Sequence, residues 1–100
     1  MATLTDAQVA QRLADAEQWR RAEGSSPSGK DAIARDFAFA NFTEAITFVN
    51  RVADAAELAN HHPDILVHGW NKVRLTLSTH SAGGLTDADF QLAAQIDRLA

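Results

Sequence analysis

Ile65-Leu-Val-His-Gly-Trp70-Asn-Lys-Val-Arg-Leu-Thr-Leu-Ser-Thr79 is the stretch on which the fold turns. In its second half, Val73, Leu75 and Leu77 share one parity, while Arg74, Thr76, Ser78 and then His80 share the other. Successive side chains of a strand point to opposite faces, so this spacing predicts a strand over residues 72–79 with one apolar face. Residues 65–70 read as the strand before it. Gly69 suits a bulge or bend and Asn71 a turn between the two. Strands this close in sequence pair antiparallel, and the apolar face of such a hairpin needs a cover from elsewhere in the chain.

Working upstream, Asn41 or Thr43 caps a long helix. Phe42, Ala45, Ile46, Val49, Val52, Ala53 and Ala56 form one stripe of period near 3.6, which supplies that cover. Pro63 bounds the helix, because the residue before proline is pushed from helical angles, so His62 is expected at or past its end. Residues 32–40 alternate Ile33, Arg35, Phe37 and Phe39 with smaller or charged residues, as a strand does. Gly24-Ser-Ser-Pro-Ser-Gly29 is the one turn-rich segment and reads as a hairpin connection to a short strand over residues 19–22. At the front, Thr5 with Gln8 makes a capping box, Leu4 with Val9 a staple, and Val9, Leu13 and Ala16 a helical stripe. Downstream, Thr86 opens a last helix with Asp89 at capping-box spacing, and Leu92, Ala93, Ile96 and Leu99 give its apolar face. The expected order is α-β-β-α-β-β-α. It predicts an α+β fold, a four-stranded antiparallel sheet with helices packed on one face.

Composition narrows the function. A chain of 100 residues with 46% hydrophobic content fits one globular domain over residues 1–100. With no cysteine, disulfides, thiolate metal sites and a cysteine nucleophile are excluded. The net charge is −4, there are two lysines and no basic cluster, so direct nucleic-acid binding is not expected. No apolar run approaches the roughly 18 residues of a membrane span, and no signal peptide precedes the first helix. A cytoplasmic protein is expected. Phosphate-binding glycine loops, a GxSxG elbow and HExxH are all absent.

The histidines carry what chemistry the sequence suggests. His61 and His62 fall at the end of the long helix, and His80 ends a strand on the side opposite its apolar residues. Glu57 precedes His61 by four residues, a spacing that lets both share a helix face. A carboxylate there orients an imidazole, and histidine exchanges protons near neutral pH. Plainer roles exist for each. Two histidines at a helix end suit its dipole, a glutamate is usually solvated, Asp89 can be only a cap, and Trp70 can be edge packing. His68 has no special placement. A metal site is the weaker sharp alternative, since adjacent histidines on one element point apart.

The segment Glu57-Leu-Ala-Asn-His61-His62-Pro63 resembles the signature of the pterin-4a-carbinolamine dehydratase family. Trp70 follows at the family's aromatic position, then Asn71 to His80 as NKVRLTLSTH, Gly84-Leu85-Thr86, and Asp89. The chain departs from the pattern at Ile65 and Leu66, where aromatics are common, and at Trp70, where tyrosine is common. The resemblance implies the same α+β fold in dimers or tetramers. It also implies a lyase that removes water from 4a-hydroxytetrahydropterin to give quinonoid dihydropterin, recycling tetrahydrobiopterin after aromatic amino-acid hydroxylation with neither metal nor organic cofactor. Carried over by position, His61 and His80 take acid–base roles, and His62 binds the pterin with a share in proton transfer. Glu57 orients His61, Pro63 fixes the turn presenting the pair, and Asp89 with Trp70 supports the substrate at the rim. Relatives of this family also imply two alternatives: a protein-interaction module that dimerises a transcription factor, and a pterin step outside amino-acid hydroxylation.

Overall fold

The computed structural model describes residues 3–22 and 31–100. The turn expected at residues 24–29 lies outside them. The elements run α1 (Asp6–Ala14), β1 (Arg20–Arg21), β2 (Ile33–Ala38), α2 (Phe42–Ala59), β3 (Asp64–His68), β4 (Lys72–Leu77) and α3 (Asp87–Leu99). This is the expected α+β order, with strands and the first helix one to three residues shorter than their patterns suggested. The four strands form one antiparallel sheet in the order β1-β2-β4-β3.

Local chemistry explains the starts. Thr5 accepts the Gln8 N–H, and the Gln8 side chain accepts the Thr5 N–H, closing the capping box of α1. Asn41, not Thr43, caps α2: its side chain takes the Glu44 N–H at 2.8 Å. Val73, Leu75 and Leu77 of β4 and Ile33 and Phe37 of β2 meet Val9, Phe48, Val52, Phe90, Leu92 and Ile96 in one buried core. Phe37, Phe39 and Phe48 pack ring against ring at 4.7–6.5 Å between centroids. Arg35 belongs to this covered side: it reaches Asp97 of α3, which also accepts from the Trp19 indole. The opposite sheet face is polar. There Arg74 and Arg20 hold Asp36 between them, and the Arg74 hydrogen bond, with both cations near, keeps the Asp36 carboxyl below the usual carboxylate range.

The ends of two elements differ from the sequence pattern, and both differences shape the site. The strand alternation of β4 stops at Leu77: Ser78 and Thr79 are both buried, and exposed His80 lies in a turn, not at a strand end. A single bridge, Thr79 to Gly84, closes that turn. Helix α2 stops at Ala59, before the proline acts. Asn60 adopts the left-handed conformation (φ 51°, ψ 42°), the Asn60 N–H bonds Glu57 O, and the His61 N–H bonds Ala56 O. Together these make the Schellman ending that asparagine tolerates. Both histidines therefore lie past the helix, and the four-residue helical neighbourhood of Glu57 and His61 does not form.

Candidate active site

Four segments meet at one end of the sheet: the end of α2, the start of β3, the chain after β4 and the start of α3. Antiparallel pairing of Asp64 with Thr76 sets the start of β3 beside the end of β4. The centre is Asp89, on the first turn of α3 and fully buried. Three donors converge on it. His61 Nε2 lies 2.6 Å from Oδ1, while Oδ2 accepts the Thr79 hydroxyl at 2.8 Å and the Thr86 N–H at 2.9 Å. Thr79 and Thr86 hydroxyls are themselves 2.8 Å apart. Since Thr79 spends its hydrogen on Asp89, Thr86 donates to Thr79. A buried carboxylate is tolerable when its oxygens are so occupied.

This arrangement fixes His61. Its side chain is only 14% exposed, and one ring nitrogen is committed to Asp89, so the ring's second nitrogen is the atom left for other chemistry. His62 is placed differently. Its Nε2 pairs with Glu57, but the two side chains are 59% and 75% exposed. Two expectations change here. Glu57 partners His62 and not His61, because Asn60 turns the chain before a shared helix face can form. Asp89 is no rim residue but the buried anchor of His61.

The remaining expected residues divide. Pro63 follows the histidine pair into β3, and His80 follows Thr79, which touches Asp89; both lie at this end. Trp70 does not. It sits at the tip of the β3–β4 hairpin, 61% exposed, at φ 59° beside Gly69 at φ 55°. The whole of β3 separates it from Pro63, about 17 Å of strand at roughly 3.3 Å per residue. Thr79, and Thr86 beyond its expected helix cap, are the residues to which the sequence assigned no part in the site. A threonine ahead of His80 and a helix cap carry no signal of their own until the fold brings both to Asp89. Among the described residues no cluster of three metal-ligating side chains occurs.

Fold and site thus define a small α+β protein with paired histidines and carboxylates at one end of its sheet. Residues 2–99 match the family described as pterin 4 alpha carbinolamine dehydratase, and the chain belongs to that family. Similar proteins bearing provisional pterin-4-alpha-carbinolamine dehydratase names come from Thermomicrobium roseum, 47% identical over all of this chain and 99% of that one, and from Nocardia farcinica, 52% identical over 97% and 94%. Among solved structures, a transcriptional coactivator/pterin dehydratase from Brucella melitensis superposes with a TM-score of 0.87 at 32% identity, covering 98% of both chains. A pterin dehydratase-like RuBisCO assembly factor of the alpha-carboxysome superposes at 0.66 with 27% identity, over 83% of this chain and 89% of that one.

Proposed function

We propose that this chain dehydrates a 4a-hydroxytetrahydropterin to the quinonoid dihydropterin. The observation that carries the reading is His61, held through one ring nitrogen by a buried, triply hydrogen-bonded Asp89. Dehydration needs a proton given to the leaving 4a-hydroxyl and a proton taken from the neighbouring ring nitrogen. The carbon–oxygen bond breaks, water departs, and a carbon–nitrogen double bond forms. An imidazole fixed at one nitrogen presents the other for such a transfer, and each positioned acid or base is worth about 10²–10⁴-fold. His61 and His80 are the acid–base pair. His62, braced by Glu57 and followed by Pro63, binds the pterin. The names of the relatives support the same reaction.

The chemistry proposed uses side chains alone, with no metal or organic cofactor. The enzyme works as a homo-oligomer in the cytoplasm, next to an aromatic amino-acid hydroxylase that supplies its substrate. Among the described residues no helix is long and apolar enough to cross a membrane. The test is the dehydration rate of freshly generated 4a-hydroxytetrahydropterin, read by absorbance, with His61→Ala and His80→Ala beside the unaltered protein. Acceleration that collapses in both variants is expected. A folded protein that gives no acceleration overturns the proposal.

One second reading has an observation of its own. The fold serves an assembly factor and a coactivator among its structural neighbours, so a protein-interaction role on this scaffold is the alternative. It predicts a stoichiometric protein partner and no pterin turnover.

A further inference from the structure

Away from the histidine pair, the polar face of the sheet carries a second group of donors around one cavity. Strand pairing sets His68 of β3 opposite Lys72 of β4, and Lys72 opposite Ala38 of β2. Arg74 stands two residues along β4, opposite Asp36, and so on the same face as Lys72. A cavity of about 330 Å³ lies among them, lined by Asp36, Phe37, Ala38, His68, Lys72 and Arg74. That volume falls at the small end of ligand pockets. The cavity is at the hairpin end of the sheet, and the length of β3 separates it from Pro63 and the Asp89 site. Ala38, small and exposed, keeps it open; a larger side chain there would fill it.

Three donors around this cavity lack a full set of partners. His68 is half-buried, and its Nε2 is shut from solvent with no hydrogen-bond partner among the described residues. Buried polar atoms are rarely left so, and an unpaired one points to a missing partner. Lys72 makes no ion pair among the described residues. Its stem passes Gly69 closely: a Cβ there would stand 3.6 Å from its Cδ and 3.8 Å from its Nζ, which brings the ammonium to the β3 side of the hairpin. Arg74 commits only Nε to Asp36, at 2.7 Å from Oδ1, and keeps its two terminal nitrogens for other acceptors. Asp36 does not make the cavity acidic, because Arg20 takes its second oxygen at 3.0 Å. Arg20, Lys72 and Arg74 thus stand as three cations against one carboxylate.

We propose that this cavity binds the phosphate group of a small molecule, at a site separate from the one around Asp89. The guanidinium fork takes two phosphate oxygens, and the Lys72 ammonium neutralises the group as a point charge. An oxygen seated at His68 selects the imidazole tautomer that carries its hydrogen on Nε2, and gives that nitrogen the acceptor the chain withholds. Inorganic phosphate and a phosphorylated metabolite share this chemistry. A polynucleotide needs a stripe of cations, whereas these donors surround one cavity in a chain of net charge −4. The inference stands independently of the pterin reading, since none of the lining residues belongs to the histidine site.

Binding is read from amide chemical shifts of the isotope-labelled protein titrated with inorganic phosphate, glycerol phosphate and acetate, with chloride holding the ionic strength constant. Saturable shifts are expected at residues 36–38, 68 and 72–74 with the two phosphates, at lower concentration than with acetate, and none at His61, Thr79 or Asp89. A tighter response to glycerol phosphate assigns the site to a phosphorylated metabolite, and a tighter response to inorganic phosphate assigns it to the ion itself. Lys72→Gln is expected to weaken binding about tenfold or more. Ala38→Leu keeps every charge but fills the cavity, and should abolish binding. His68→Phe keeps a flat ring without the unpaired nitrogen. It should raise the urea midpoint of the unliganded protein while weakening its hold on phosphate, a combination that a purely structural histidine would not give. All three variants should turn over pterin like the unaltered protein, and loss of turnover in any of them overturns the separateness of the site. Shifts that never saturate, or affinity unchanged by Lys72→Gln and Ala38→Leu, mean screening of surface charge and overturn the site. Acetate binding as tightly as phosphate overturns the ligand class.

Discussion

His61 and His62 are neighbours in the chain, each paired with a carboxylate, and they are built in opposite ways. His61 and Asp89 are 14% and 0% exposed, and two threonines pin the carboxylate from behind. His62 and Glu57 are 59% and 75% exposed, with nothing behind them among the hydrogen bonds of the described residues. A buried pair that loses one partner leaves several polar groups unsatisfied, whereas a solvated pair hands its loss to water. The tethered histidine is therefore suited to a reaction that demands fixed geometry. The solvated one is free to turn toward a ligand.

The largest expected effect tests the buried half. Asp89→Ala strips partners from His61, Thr79 and the Thr86 backbone at once, and should cost about 3–5 kcal/mol in urea unfolding, with turnover lost. Asp89→Asn keeps the shape but loses the acceptor charge. It should lower turnover by about 10²-fold or more with a smaller stability loss. Thr79→Val comes next. Removing the hydroxyl that bridges the Thr86 hydroxyl and Asp89 should cost about 1–3 kcal/mol and should lower turnover although Thr79 is not assigned to touch substrate. Glu57→Gln, on the solvated half, should shift stability by less than about 0.5 kcal/mol, its effect falling on pterin affinity instead. An equal stability loss in Glu57→Gln and Asp89→Asn would erase the contrast between the halves.

The smallest effect lies on the polar sheet face. Arg74 and Arg20 lower the carboxyl of half-exposed Asp36, so the stabilisation they provide is present above the ordinary aspartate range and fades as pH falls through the lowered value. Arg74→Ala should lower the unfolding midpoint slightly at neutral pH and hardly at all in strongly acidic buffer, flattening that pH dependence.

What the sequence made legible follows the same division. Strand parity at Val73, Leu75 and Leu77 and the Thr5–Gln8 box depend on neighbours in the chain, and each appears in the fold; the stripe of α2 appears in part, with Ala45, Val52 and Ala56 buried, Phe42 and Ala53 exposed, and Phe48, outside the expected stripe, in the core. The family motif likewise named most of the residues that gather at the site. Their pairing was not legible, because it rests on one backbone detail, the left-handed Asn60 that ends α2 early and sends His61 to Asp89. Asparagine at that position was the available signal. The burial of Asp89 was hidden for another reason: its capping of Thr86 is local, but Thr79 and His61 reach it from other elements. Trp70 was legible as a residue but not as a place, since parity does not say which end of a strand meets a site.

The division of labour between the two histidines is the central claim, and steady-state kinetics of His61→Ala and His62→Ala with 4a-hydroxytetrahydropterin test it most directly. The account predicts that His61→Ala lowers kcat by about 10²–10⁴-fold with KM little changed, while His62→Ala acts mainly by raising KM. The reverse pattern, or the same loss of kcat in both, would contradict it.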